Sequence, residues 1–152
     1  MRKNNAGDAT NMADDQGILF FRIRYSETDQ MKNYYNSRAL EWFEYGRGEL
    51  LRDLGKPYTQ WERENVLLPV IESYIKFEGK ASYDDRLKMT TTVARVSRTR
   101  IRFDCQIEHA DSGLLVCQGW TVHAVTDESG KTTRPPKWID QLIIPSRLDN
   151  IA

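Results

Sequence analysis

A single helix-period segment stands between strand-period runs, and that order constrains the fold more than any other feature of the chain. "NSRALEWFEYGRGELLRDLG" (36–55) places Leu40, Phe43, Leu50, Leu51 and Leu54 on one stripe, with Arg38, Glu41, Glu49 and Arg52 largely elsewhere. Before it, "GILFFRIRY" (17–25) alternates, with Leu19, Phe21, Ile23 and Tyr25 on one face and Arg22 and Arg24 on the other. After it come four more strand candidates and no second long helical pattern. "VLLPVIESYIKFEG" (66–79) is broken by Pro69, and "RLKMTTTVARV" (86–96) sets Leu87, Met89, Thr91 and Val93 on one face. "RIRFDCQIEH" (100–109) alternates Ile101, Phe103, Cys105 and Ile107 with polar residues, and "LLVCQGWTVHAVT" (114–126) is apolar on both faces, the mark of a central or interface strand. The joints "SRT" and "ADSG" suit hairpins.

With no repeating βαβ unit and no G-x-G-x-x-G, this order predicts an α+β chain with one antiparallel five-stranded sheet wrapped around one long central helix. Asn36 or Ser37 is the expected N-cap, and Gly55 followed by Pro57 ends the helix. Gly46 and Gly48, which cost about 1 kcal/mol each relative to Ala inside a helix, imply that a sheet backbone packs closely there. A sheet of this size leaves edges, and pairing an edge with a second copy predicts a homodimer or homotetramer.

Composition narrows the function classes. Lys+Arg and Asp+Glu are both 22, a balance that lacks the basic footprint of a nucleic-acid binder. No apolar run approaches the roughly 20 residues that span a bilayer. Residues 1–16 are polar, lack the apolar core of a secretory signal and read as a disordered tail before a single domain over 17–152, which makes cytoplasm the default location. Cys105 and Cys117 have no CxxC spacing and read as buried free thiols. His109 and His123 form no metal motif and read as structural, which argues against a protein-built zinc centre and a Ser-His-Asp triad.

The segment "YSETDQMKNYYNSRALEWFEYGR" raises the functional question, because Asp29 stands several residues before the helix cap. Spacing alone leaves it open whether Asp29 is a loop carboxylate, the head of an Asx turn, or a reacting group. Tyr25, Asp29, the aromatic pair Tyr34–Tyr35 and the helical Phe43-Glu44-x-x-Arg47, together with "ASYDDRLKM" (81–89), resemble the acyl-CoA thioesterases of the hotdog fold, in the 4-hydroxybenzoyl-CoA thioesterase-like family. The likeness covers about residues 17–140. It implies that Asp29 is the catalytic carboxylate, acting as base on water or as nucleophile, and that the backbone N–H near Asn36 polarises the thioester carbonyl. It also implies a pocket lined by Tyr34 and Tyr35, with Ser26 and Thr28 orienting the loop. CoA phosphates would be met by Arg98, in the hairpin that resembles the family's CoA-contacting turn, and by Arg134 with Lys137 beside it. Where many relatives carry small residues and a glycine after the aspartate, this chain has "QMKN".

The chemistry is self-sufficient. A thioester carbonyl needs an oxyanion donor and a base or nucleophile, and a helix N-terminus supplies unpaired N–H groups with a favourable dipole. No cofactor and no metal is required. The expected function is hydrolysis of an acyl-CoA to free acid and CoA. The alternatives are an acyl-ACP thioesterase and a non-catalytic acyl-CoA-binding protein. A hotdog dehydratase or hydratase is disfavoured because no His lies near Asp29 in sequence.

Overall fold

The computed structural model describes residues 17–141, so the expected tail at 1–16 and the chain beyond 141 lie outside the described residues. Strand β1 (Ile18–Arg22) leads through a 3-10 turn (Tyr25–Glu27) and a loop into helix α1 (Arg38–Asp53). A short helix α2 (Tyr58–Arg63) precedes β2 (Val70–Phe77), β3 (Arg86–Ser97), β4 (Arg100–His109) and β5 (Leu115–Ala124), and a second 3-10 turn (Lys137–Gln141) follows. The five strands form one sheet in the order β1-β3-β4-β5-β2, every neighbouring pair antiparallel. This is the predicted sheet with one long helix laid across it.

The alternating runs read correctly where strands are central. Leu87, Met89, Thr91 and Val93 of β3 and Ile101, Phe103, Cys105 and Ile107 of β4 are all buried on the helix side. Phe43, Leu50 and Leu51 of α1 face them, each large side chain so buried contributing about 1.5–3 kcal/mol. Two expectations fail at element ends. β1 stops at Arg22, so Tyr25 falls in the 3-10 turn and is 78% exposed, and Leu40 is 41% exposed because Ala39 and Trp42 take the inward positions of that turn. Helix α2 was not predicted. Its Trp61 is fully buried, packs edge-on against Trp138 with centroids 4.8 Å apart, and anchors a second apolar cluster with Leu51, Phe103 and Ile139.

The two helix glycines differ. A Cβ on Gly46 would lie 2.5 Å from Thr91 Oγ1 and 2.9 Å from Met89 Cε, so close approach to β3 requires glycine, although side chains rather than sheet backbone set the limit. A Cβ on Gly48 would meet nothing nearer than the Arg52 guanidinium at 3.6 Å, so packing on the sheet does not demand glycine there. Cys105 and Cys117 are free, and burial pushes both thiols up to about 12. They are offset in register, since Cys105 stands opposite Gly119 and Cys117 opposite Ile107. Both imidazoles have structural partners: His109 Nε2 meets the Lys80 carbonyl at 2.8 Å, and His123 is bound on both nitrogens.

Candidate active site

Asp29 sits in the loop that joins the first 3-10 turn to α1. Its Oδ1 accepts from the backbone N–H of Met31 (2.8 Å) and of Asn33 (3.3 Å), which is an Asx turn. The turn is closed by Asp29 N–H to Asn33 O (2.9 Å) and Lys32 N–H to Asp29 O (3.0 Å), with Lys32 in the left-handed region at φ 60°. A lysine, rather than a glycine, carries this left-handed conformation. Asp29 Oδ2 makes no hydrogen bond with the described residues. One carboxylate oxygen therefore fixes the loop and the other has no hydrogen-bond partner among the described residues.

The loop is tied on three sides. Thr28 and Tyr34 form an antiparallel bridge, and Tyr35 N–H donates to Glu27 O (2.8 Å), which folds the segment carrying Asp29 back beside the start of α1. Tyr34 N–H donates to Ala81 O (2.9 Å), and Ala81 N–H donates to Asn33 Oδ1 (3.0 Å). The two motifs of the sequence, separated by some fifty residues, thus dock on each other. Thr28 Oγ1 caps the 3-10 turn by donating to Tyr25 O (2.7 Å), and Arg38 Nη2 reaches Ser26 O (3.4 Å).

Glu27 provides the third tie and was not singled out by sequence reasoning. It is only 3% exposed. Its Oε1 accepts from Arg24 N–H (2.8 Å) and Arg24 Nε (3.2 Å), and its Oε2 accepts from the Trp42 indole (2.6 Å). Burial pushes its carboxyl up, but the Arg24 backbone, the Trp42 indole and the Arg24 guanidinium together hold it below the usual glutamate value. A buried anion so satisfied locks the loop onto α1. The signal in the sequence was the pair Glu27 and Trp42, visible only once the helix and loop are brought together.

The other predicted site residues divide between two ends of the molecule. Tyr34 is buried, its ring tilted against Trp42 (centroids 5.2 Å) and Phe77 (6.2 Å), with burial and the neighbouring Cys117 thiol raising its phenol above the ordinary value. It forms the floor under the loop rather than an open wall. Tyr35 is 50% exposed at the rim. Asn36 is exposed and its side chain makes no hydrogen bond with the described residues; the N-cap is Ser37, which makes no side-chain cap bond either. Among the described residues the backbone N–H groups of Asn36 and Ser37 have no acceptor, the first bonded donors being Arg38 and Ala39. These N–H groups stand free at the positive end of a 16-residue helix.

Arg98 and Arg134 lie elsewhere. Arg98 is exposed in the two-residue turn between β3 and β4, and Arg134 is exposed in the loop after β5, tied to the same end by Thr133 N–H to Val125 O (2.8 Å). The Asp29 loop sits at the other end, where Ile23 N–H bonds Asp85 O just before β3 begins. β3 has 12 residues. At about 3.3 Å rise per residue it separates the two ends by roughly 35 Å. Among the described residues, a cleft of about 390 Å³ lies on the β1 side of α1 and one of about 450 Å³ on the β2 side, and Asp29 lines neither.

The family profile of the thioesterase-like superfamily matches residues 23–143. The chain belongs to the thioesterase-like superfamily. Over 71 residues it is 37% identical to the Bacillus subtilis protein named "Putative acyl-CoA thioesterase YneP", covering 47% of this chain and 51% of that one, so the matched stretch spans about half of that relative. A protein of Aquifex aeolicus named "Putative esterase" is 25% identical over 122 residues, covering 80% of this chain and 93% of the relative. Among solved structures, a DHNA-CoA thioesterase from Staphylococcus aureus superposes with a TM-score of 0.73 at 26% identity over 82% of this chain and 83% of that one. A 1,4-dihydroxy-2-naphthoyl-CoA thioesterase from Synechocystis superposes with a TM-score of 0.76 at 20% identity over 83% and 93%, a likeness of fold. The sheet and helix described above are therefore a hotdog fold, and the chain is a thioester hydrolase of that fold. Among the described residues no helix of this thioesterase is long and apolar enough to cross a membrane.

Proposed function

We propose that this thioesterase hydrolyses acyl-CoA thioesters with Asp29 as the reacting carboxylate. The observation that carries the reading is the Asx turn, which holds one oxygen of Asp29 and leaves Oδ2 unbonded beside a helix start with free N–H groups. The carbonyl oxygen of the thioester accepts from the N–H near Asn36 and draws electron density from the carbonyl carbon. Oδ2 then takes a proton from water as the water oxygen attacks, or attacks the carbon itself and forms an anhydride that water cleaves. In either route the C–S bond breaks and the CoA thiolate leaves and is protonated.

A homodimer completes the reading. Edge strand β2 exposes Val70, Ile71, Tyr74 and Phe77, an apolar edge that a partner would cover. Val70 lies opposite His123, toward the Arg98 end, and Phe77 lies opposite Cys117, toward the Asp29 end. Antiparallel pairing of β2 with its own copy reverses these directions. It sets the Asp29 loop of one subunit beside the end that carries Arg98 and Arg134 of the partner subunit, where CoA phosphates can be met. Tyr35 lines the rim of that joint site, and Tyr34 supports it from below.

The test mixes purified protein with a panel of acyl-CoAs and a thiol reagent, alongside sedimentation at micromolar concentration. Free CoA released in proportion to enzyme, from a species of twice the chain mass or larger, is expected. Acyl-CoA binding without thiol release favours the non-catalytic alternative, activity confined to acyl carrier protein favours the acyl-ACP reading, and a stable monomer removes the shared site.

A further inference from the structure

The 450 Å³ cleft on the β2 side of α1 contains a cation that no described residue hydrogen-bonds or pairs. Arg47 lines it, half-buried, and makes no hydrogen bond and no ion pair with the described residues. Burial holds its guanidinium below the ordinary arginine value, against the opposing pull of Cys105, Glu44 and Tyr58. The nearby His123 is kept neutral by burial and adds no second positive charge. Glu44 is exposed at the mouth, and Glu41 is already engaged by Arg38 (3.0 and 3.1 Å).

A second donor points the same way. The Tyr58 hydroxyl accepts from Leu68 N–H (3.2 Å), which leaves its own proton without an acceptor among the described residues. Leu51, Leu68 and Phe103 form an apolar wall, Gly48 adds no side chain to fill the space, and the second arginine of the lining, Arg52, is already paired with Glu49. The cleft therefore offers a planar fork of N–H donors, one phenolic donor and an apolar body site. A partly desolvated cation without a partner is unfavourable, and a carboxylate matches the guanidinium fork with two parallel hydrogen bonds. A fully charged phosphate fits less well, since Arg47 is the one arginine of the lining without a described partner, Arg52 being paired with Glu49, and two carboxylates stand at the mouth.

We propose that this cleft binds a small organic carboxylate, its oxygens on Arg47 and Tyr58 and its apolar body against Leu51, Leu68 and Phe103. The carboxylate has two sources with the same chemistry: a free acid, or the far end of an acyl group whose thioester lies at an Asp29 site. The second source rests on the acyl-CoA reading above, and the first does not.

Two arms test the site. In the first, the 15N-labelled full chain is titrated with benzoate and, separately, with the isosteric neutral benzamide, reading the Arg47 Nε–H signal and the Gly48 and Leu51 amides. Saturable shifts with benzoate at a dissociation constant at least tenfold below that of benzamide are expected, and Arg47→Met should abolish the difference. Should R47M fail to fold, the benzoate and benzamide comparison on the native chain still decides, with no thioester involved. In the second arm, hydrolysis of adipoyl-CoA and hexanoyl-CoA is compared in native protein and R47M. An adipoyl preference of tenfold or more that R47M loses assigns the carboxylate to the acyl group, and parity beside benzoate binding assigns it to a free acid. Equal affinity for benzoate and benzamide together with equal hydrolysis of the two thioesters overturns the proposal.

Discussion

The Asp29 end of this thioesterase and the Arg98 end are built on opposite principles. At the Asp29 end, the loop from Tyr25 to Asn36 is held by hydrogen bonds to Ala81, to its own turn and to the buried Glu27, so one carboxylate oxygen is fixed and the other is presented. At the Arg98 end, a two-residue turn and a loop carry exposed arginines, and Arg98 makes no hydrogen bond with the described residues. Bond-making requires placement within a fraction of an ångström, whereas attraction of a phosphate requires only reach and charge. That difference is what assigns, in the proposed function, the reaction to the Asp29 end and the holding of CoA to the Arg98 end.

The largest expected effect breaks that contrast at its centre. Asp29→Asn keeps the acceptor oxygen that closes the Asx turn but removes the charge, so the loop should keep its shape while the amide can neither take a proton nor attack. We expect kcat to fall by about 10²–10⁴-fold with KM nearly unchanged. Steady-state kinetics on the best acyl-CoA checks it, and a folded variant with near-native kcat would return Asp29 to a purely structural role.

Glu27 sharpens the contrast from behind the loop. Glu27→Ala leaves the Trp42 indole and the Arg24 N–H without their acceptor in a buried setting. Each unsatisfied donor costs about 1–3 kcal/mol, so a loss of about 3 kcal/mol is expected, with Glu27→Gln retaining part of it. Thermal unfolding reads the change, which at this chain length corresponds to very roughly 6–12 °C in Tm. The same variants should lower kcat more than they raise KM, because the loop that aims Asp29 loosens. An E27A protein of native stability would show that the tie is dispensable.

The interior of the Arg98 end has its own acid sensitivity. Burial lowers His123 from 6.5 to about 4, with the Leu68 carbonyl opposing and Arg47 adding to the fall. The unfolded imidazole binds its proton at higher pH than the folded one. The neutral native form is therefore fully favoured above pH 6.5, and that advantage, about 3 kcal/mol, is lost as pH falls from 6.5 through about 4. The His123 ring, followed by NMR, should remain neutral at pH 5.5; a midpoint above 6 would contradict its burial between Thr121 and Leu68.

How much of this could be read from the chain follows from what each feature depends on. β3 and β4 announced their inward faces because period-2 alternation reports burial directly, as with Leu87, Met89, Ile101 and Phe103. The ends of elements did not: Tyr25 continues the alternation of β1 in sequence, yet the chain has already turned. Helix α2 has six residues, too few for a period to show. At the candidate site, the motif singled out Asp29, and the Asx turn that the structure shows is one of the readings its spacing allowed. Glu27 was not, because its partner Trp42 lies 15 residues on, across the loop. The separation of Arg98 from Asp29 was hidden for a similar reason: it is set by sheet register, which no local pattern encodes.

Arg98 sets a smaller effect. One exposed arginine–phosphate contact is worth about 1–2 kcal/mol, so Arg98→Ala should raise KM for an acyl-CoA about tenfold. An acyl-N-acetylcysteamine thioester, which lacks the phosphates, should be affected little. Because Arg98 and Asp29 stand roughly 35 Å apart along one chain, mixed dimers sharpen the point. A dimer with D29N on one subunit and R98A on the other keeps one fully native site if the sites are shared across subunits, and none if each chain acts alone. Equal losses on both substrates would remove Arg98 from CoA binding.

The smallest expected effect is at Asn36, and it separates backbone from side chain within the reacting end. The carbonyl is held in the proposed chemistry by an N–H of the main chain, which survives any substitution short of proline. The Asn36 side chain is exposed and bonds nothing, and the cap position belongs to Ser37, itself without a side-chain cap bond. Asn36→Ala therefore removes neither a cap nor a donor. The ordinary loss for deleting an Asn cap, about 1 kcal/mol, should not appear. Stability should change by less than about 0.5 kcal/mol, the usual range for an exposed site, and kcat should stay within a few-fold. Asn36→Pro removes the N–H itself while proline remains tolerated near a helix start, so it should lower kcat much further at similar stability. If alanine proves as damaging to kcat as proline in two equally stable proteins, the side chain of Asn36 takes part in the reaction and the backbone assignment of the oxyanion donor is wrong.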